Sequence, residues 1–405
     1  MIIQNSELNN ERKSKMKKIT LMVCVLIAQV IAFATPTVSD MKVTPIPPWG
    51  LAIDYAVNAA TEVEEKAAPS VKVVHGEQTY AAKTLLGDLS FTNGAHRIYW
   101  NAAQDGVTAS LTNATVQLVY TPVRTAENSL YCVIDLSAGA SAASYPVTYL
   151  NEEPEGGFNT TEYKTTKLVL KRVNPGTFIM GEDQTCESNR VTLTKAFFMG
   201  IFEITQRQWL SVMGTNPSYF AGHTKPVESV SYKAIRGSTL GAEWPQSNEV
   251  DKDSFLGKLR DRTEVVFDLP TEAQWEYACR AGTQMLYSYG EVENAGFMWY
   301  AENSGAKTHE VGIKEPNAWG FYDMHGNVRE WCLNWAGSLS DGGVGVDPIG
   351  ATSKYAAGRH ITRGGVFADS AVECSASYRR SDDSSYTYGV SEYGYNGFRV
   401  VLSLP

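Results

Sequence analysis

From Val43 to about Tyr120, apolar residues recur at every second position in short runs. Val116, Leu118 and Tyr120 alternate with polar neighbours, the period that turns alternate side chains of a strand to one face. Asn93-Gly94 lies between Leu89-Ser-Phe91 and Arg97-Ile-Tyr-Trp100, a dipeptide that favours a tight hairpin turn. No helical period competes, and residues 35–122 predict a small all-β sandwich module of immunoglobulin-like type. Residues 123–162 read as a connector. It holds two strand-like pieces, Leu130 to Leu136 and Tyr145 to Leu150, and a Glu/Gly-rich end at Glu152 to Gly157 that suggests an exposed boundary.

A second pattern starts at Lys167-Leu-Val-Leu-Lys-Arg172, an alternating strand, followed by Phe178-Ile-Met-Gly181. Thr205 with Gln208 and Thr271 with Gln274 fit capping boxes, and Gly214 and Gly282 stand where left-handed stops are expected. These signals bound two helices. On the second, Ala273, Tyr277 and Ala278 share one face, the spacing of a stripe packed on a core, so Trp275 and Tyr277 read as scaffold. The rest of 163–405 is rich in Gly, aromatic residues and turn pairs, and predicts long loops on little regular structure.

The start of the chain reads differently. Lys17-Lys18 precede an apolar run from Ile19 to Ala34, and Ala32-Phe33-Ala34 offers small residues for cleavage. Residues 1–34 therefore read as a signal peptide, with translation starting at Met16, and sixteen apolar residues are short for a membrane span. Loss of this leader removes five basic and two acidic residues and takes the net charge from −9 to −12. Outside it no cluster of Lys and Arg is present, which argues against a nucleic-acid partner. An exported protein of periplasmic, cell-surface or secreted location is expected. The five cysteines that remain, Cys132, Cys186, Cys279, Cys332 and Cys374, fit no zinc spacing; one or two disulfides are compatible with an oxidising compartment.

Several long motifs occur in order: Phe202-Glu-Ile-Thr-Gln206, Leu269-Pro-Thr-Glu-Ala-Gln-Trp-Glu-Tyr277, Asn317 to Trp331, Arg363-Gly-Gly365 and Gly397-Phe-Arg399. Together they resemble the formylglycine-generating enzyme (sulfatase-modifying factor) family over roughly residues 165–403. The resemblance implies an α+β, loop-rich, C-type-lectin-like domain at 163–405. It also implies a copper ion held by a pair of cysteines just past the Arg-Gly-Gly, where oxygen is activated to oxidise a substrate cysteine. Counted from Arg363, the first of those positions is Asp369 and the second is Cys374. A carboxylate is a poor ligand for soft Cu(I), so copper is not expected, and Cys374 reads either as a surviving catalytic residue or as a small buried hydrophobe.

The family's calcium segment falls on Asp323, Gly326, Val328 and Glu330. Two carboxylates and turn carbonyls are hard oxygen ligands of the kind calcium takes; the alternative is a capped turn in which Glu330 accepts backbone N–H groups. Non-haem iron, used by related sulfoxide synthases, needs grouped histidines, and the six here are scattered. No Gly-x-Ser-x-Gly elbow or dinucleotide loop appears.

Between Val366 and Asn396 stand five tyrosines, among them Tyr378, Tyr386, Tyr388 and Tyr393, and seven serines. Such a composition suits an adaptable binding surface. Variable proteins of diversity-generating retroelements, which use the same fold, place their diversified residues in a similar segment; an ordinary polar loop is the alternative. Two functions follow. One is a noncatalytic or repurposed member that binds a protein or glycan ligand at the cell exterior through these loops; the other is an oxidase that converts a sulfatase cysteine to formylglycine.

Overall fold

The computed structural model describes residues 37–46, 50–58, 70–89, 92–107, 111, 114–119, 124–182, 189–237, 244–352, 358–383 and 395–404. The chain divides into two units, Met1–Val123 and Arg124–Pro405. The expected signal peptide lies outside the described residues, as do Tyr386, Tyr388 and Tyr393. Among the described residues no helix is long and apolar enough to cross a membrane.

In the first unit the alternation becomes two antiparallel sheets. One runs Thr37–Ile46, Gly50–Asn58, Gly94–Asn101, Leu85–Gly87; the other runs Gln78–Ala82, Ser70–His75, Thr115–Val119. Ile53 and Trp100 of the first sheet and Val71, Val73 and Val116 of the second enter one buried cluster. The Asn93-Gly94 hairpin differs from its expectation. Strands Leu85–Gly87 and Gly94–Asn101 pair, with Gly87 opposite Ile98, so Leu89 lies past the end of its strand, and Ser90 and Phe91 lie outside the described residues. Two bonds draw the ladder out past Gly87: Asp88 N–H donates to Arg97 O at 3.1 Å, and the His96 ring contacts Asp88 at 2.9 Å.

The second unit is α+β. Its largest sheet runs Phe267–Asp268, Val401–Ser403, Phe197–Gly200, Lys167–Val173, Tyr131–Asp135, Val147–Leu150. Two of these strands come from the expected connector. Leu168 to Lys171 pair with Tyr131 to Ile134, and Cys132 and Ile134 are fully buried, so residues from 124 on are part of the sheet and its core. The polar run at Glu152 to Gly157 concealed this, because it is a loop inside the unit rather than its edge.

Helix α1 (Gln206–Met213) begins at Thr205 with the expected capping box and ends at Gly214 in the left-handed region. Two short helices, α2 (Tyr232–Arg236) and α3 (Phe255–Thr263), follow. Helix α4 (Glu272–Arg280) begins at Thr271, again with a capping box. It stops one residue earlier than Gly282 suggested, because Ala281 itself takes the left-handed conformation at φ 47°. Trp275 is fully buried and Tyr277 nearly so, as scaffold residues should be. A four-stranded sheet, Arg380–Asp383, Arg359–Arg363, Arg329–Trp335, Asn396–Gly397, carries the motif residues Arg329, Glu330, Trp331, Arg363 and Gly397. Cys132, Cys279, Cys332 and Cys374 are buried free thiols; Cys186 lies outside the described residues.

Candidate functional site

Strand Arg359–Arg363 delivers the chain into Gly364 and Gly365, both with positive φ. A Cβ on Gly365 would lie 2.6 Å from the Cys374 Sγ and 2.7 Å from Glu373 O, so only glycine lets the turn close over the thiol. Asp369 accepts the Val366 N–H at 3.0 Å and, with its residue 8% exposed, is gripped by Arg329. The Arg329 Nη2 donates to both carboxylate oxygens at 2.9 and 2.8 Å, and Nε adds a third bond at 3.2 Å. Bidentate pairing of this kind fixes a carboxylate firmly. The Cys374 Sγ is buried, 3.9 Å from Val366 O. Burial, with the nearby Asp369 charge second, pushes its thiol well above the ordinary range, so it is held protonated, and the thiolate is the form that ligates metals or attacks.

Around this pair, Arg380 Nη1 stands 3.8 Å from both Asp369 and Glu373. Tyr378, half-buried, donates its hydroxyl to Glu373 at 3.2 Å. It is thus tied into the same network rather than projecting alone.

The segment from Asp323 to Glu330 forms a tight turn. Asp323, Gly326 and Asn327 all have positive φ, and a Cβ on Gly326 would lie 2.0 Å from Trp299 O. Asp323 accepts the Gly312 N–H at 2.7 Å. Glu330 spends both oxygens: Arg399 Nη2 donates to Oε1 at 2.6 Å, while Arg399 Nε and Trp275 Nε1 donate to Oε2 at 2.7 and 2.8 Å. A third buried carboxylate, Glu203, accepts from Asn327 Nδ2 at 2.7 Å and from the Val328 N–H at 3.1 Å. Burial, then the neighbouring Asp323 and Glu330, drives the Glu203 carboxyl well above its usual range. Burial likewise raises Asp323 to about 6, against the lowering pull of the Gly312 N–H, Arg399 and Lys164.

The four residues expected around calcium are therefore close together, but Glu330 is already neutralised by Arg399. Among the described residues no three His, Cys, Asp or Glu side chains converge to hold a metal ion. In this arrangement the Glu330 carboxylate is spent on Arg399 and Trp275 rather than turned to a cation. Neither of the readings made from the sequence foresaw Arg399 or Glu203 in this role. The available signal was a charged residue embedded in an apolar motif: Glu203 between Phe202 and Ile204, and Arg399 between Phe398 and Val400.

His325, inside the same turn, is buried. Its Nδ1 meets Cys374 O at 2.8 Å and its Nε2 meets the Ser288 N–H and hydroxyl at 3.1 and 2.9 Å. With Nδ1 donating to a carbonyl, Nε2 is the acceptor, and burial lowers the ring to about 4. Elsewhere, at the N-terminal end of α4, a cavity of about 420 Å³ is lined by Leu193, Trp244, Val266, Gln274, Ile349 and Ser403. None of the candidate site residues lines it, although the motif and capping residues Leu269, Thr271 and Gln274 do.

Comparison with known proteins places this geometry. Residues 158–404 match the sulfatase-modifying factor enzyme 1-like domain. The chain is similar to the chaperone protein LppX of Paenibacillus barcinonensis, 32% identical over 212 residues, 44% of this chain and 75% of that protein. It is also similar to the formylglycine-generating enzyme of Mycobacterium tuberculosis, 43% identical over 76 residues, 16% of this chain and only 25% of the enzyme. Among solved structures, Treponema denticola variable protein 1 is 27% identical, with a TM-score of 0.48 over 58% of this chain and 95% of the other.

Proposed function

The chain belongs to the formylglycine-generating enzyme (sulfatase-modifying factor) family, and we propose that it is an exported, noncatalytic member that binds a ligand through its C-terminal Tyr/Ser-rich segment. One observation carries the noncatalytic part. The position of the first copper-binding cysteine is Asp369, and its carboxylate is committed to Arg329 while Cys374 is held as a buried, neutral thiol. A substrate cysteine would find neither a thiolate pair nor an ionised nucleophile there.

For the binding part, Tyr395 supports the reading. It is the last tyrosine of the Tyr-rich stretch and packs against Phe367 at 4.7 Å between ring centroids and Phe220 at 5.9 Å. Tyr395 thus rests on an aromatic base. Export is part of the same proposal and rests on the apolar leader before Thr35.

The test measures copper and turnover together. Purified protein is expected to contain no stoichiometric copper and to leave a Cys-containing sulfatase peptide unconverted. Asp369→Cys alone would strand Arg329 as a buried unpaired charge, a loss of roughly 3–5 kcal/mol, so the informative variant is Asp369→Cys with Arg329→Met. That double variant is expected to gain Cu(I) affinity. Copper in the wild-type protein, or conversion of the peptide, would establish the alternative oxidase with Cys374 as its surviving residue.

A further inference from the structure

One strip of the C-terminal unit concentrates positive charge in a chain of net charge −9. Lys225, Lys307 and Lys314 all act on the His309 ring and, after burial, lower it. Lys225 is lowered by burial and then by the like charge of Lys307. None of the three lysines forms an ion pair among the described residues. Glu310 is exposed beside them, while Glu228 is buried and spends its carboxylate on the Phe220 N–H and the Ser229 hydroxyl. The acids that act on these cations are Glu228 and Glu310 for Lys225 and the buried Asp323 for Lys314, whose Nζ also donates to Ala295 O.

Aromatic rings continue the same strip. Lys314 Nζ sits 3.7 Å from the Trp299 ring centroid, and Trp299 stacks on His309 at 3.6 Å. At the other end Lys225 lies over Phe220, which meets Tyr219 edge-on at 4.9 Å, and Tyr219 is 57% exposed.

Two donors are left over. Trp299 Nε1 and Thr308 Oγ1, both buried close to His309, have no hydrogen-bond partner, and an indole N–H can only donate. An exposed ring at one end of a run of cations matches a ligand with an apolar sugar face and anionic substituents.

We propose that the strip from Tyr219 through Lys225 and Lys307 to Trp299 and Lys314 binds an acidic carbohydrate, with Tyr219 stacking on a ring and the lysines pairing its charge. This rests on the reading of the protein as a ligand binder and names the ligand's chemistry. It places the recognition of charge outside the tyrosine-bearing segment.

Binding of oligogalacturonate, a sulfated dextran oligosaccharide and uncharged maltotetraose to the full chain tests it, with a short poly-glutamate peptide as control. One or both acidic sugars are expected to bind, the carboxylated and sulfated arms identifying the charge recognised. Lys225→Gln with Lys307→Gln should weaken binding at least tenfold and flatten its salt dependence, while Lys225→Arg should retain it. Tyr219→Ala should weaken binding at least fivefold with the salt slope unchanged. Melting curves of each variant verify folding. Equal binding of maltotetraose or of poly-glutamate, or no sugar binding at all, would overturn the assignment. If alanines at Tyr386, Tyr388 and Tyr393 abolish sugar binding and the lysine variants do not, the ligand-binding function stands and this inference fails; if both sets leave sugar binding intact, both fail.

Discussion

Buried ionisable groups in this protein are neutralised by one another, and two of them respond to pH in opposite directions. His325 is lowered to about 4 from 6.5, so the folded state binds fewer protons than the unfolded chain between those values. Its contribution is present above pH 6.5 and is lost as pH falls toward 4, worth on the order of 3 kcal/mol in all. Asp323 is raised from 3.8 to about 6, so the folded state binds more protons in nearly the same window. Its contribution is present below pH 4 and is lost as pH rises through 6. Denaturant unfolding from pH 4 to 7 should separate them. Relative to the parent, His325→Gln should make stability fall more steeply with rising pH, and Asp323→Asn, which keeps the acceptor for Gly312, should make it rise. Parallel profiles for the two variants would show that neither titration is coupled to folding as described. At this scale the sequence pointed to the turn, through Asp323 and Glu330, but not to what satisfies it. Glu203 and Arg399 come from more than sixty residues away along the chain, and only the fold brings them to Glu330 and Asn327.

Helix starts were legible because a capping box is a local signal; Thr205 and Thr271 both make both of its bonds. Stops were less so, since Glu264 and Ala281 take left-handed conformations that glycine usually supplies. Glu264 is exposed at φ 58°, so Glu264→Gly should relieve strain and raise stability by roughly 0.5 kcal/mol. Gly214→Ala at φ 80° should lower it by about 1 kcal/mol, since its Cβ has room, 3.6 Å from Ala140 Cβ, and backbone strain is the main cost. Shifts of the same sign in thermal unfolding would contradict this account of the caps. The turn from Asp323 to Glu330 has its own test. Calcium there would have to displace Arg399 from Glu330, and a ligand bound only to the native state raises the melting temperature by mass action. We therefore expect the same Tm with and without a chelator, and Arg399→Met to destabilise through the stranded Glu330 by about 3–5 kcal/mol. A chelator that lowers Tm would restore calcium to the turn.

Where the C-terminal unit begins decides what can be cut from it. Low apolar content at Glu152 to Gly157 put the expected boundary near 163, and similarity to the family starts at 158. Both would discard Tyr131–Asp135 and Val147–Leu150, the strands that complete the six-stranded sheet. Family motifs could not reveal this, because they lie downstream, and two short strands before a polar loop look the same in sequence whether they belong to a linker or a sheet. Packing distinguishes them. Cys132, Ile134 and Leu136 are fully buried in the core shared with Leu168, Leu170 and Phe198, and each large apolar side chain removed from such a core costs about 2–5 kcal/mol. Losing Tyr131, Ile134, Leu136 and Tyr145 together costs roughly 8–20 kcal/mol on that scale, comparable to the whole stability of an ordinary domain, about 5–15 kcal/mol. Residues 124–405 expressed alone should therefore unfold in one cooperative transition, whereas residues 163–405 should be insoluble or lack such a transition. A cooperative melt from the shorter fragment, measured by circular dichroism, would return the boundary to 163 and make the two upstream strands an accessory to the family domain.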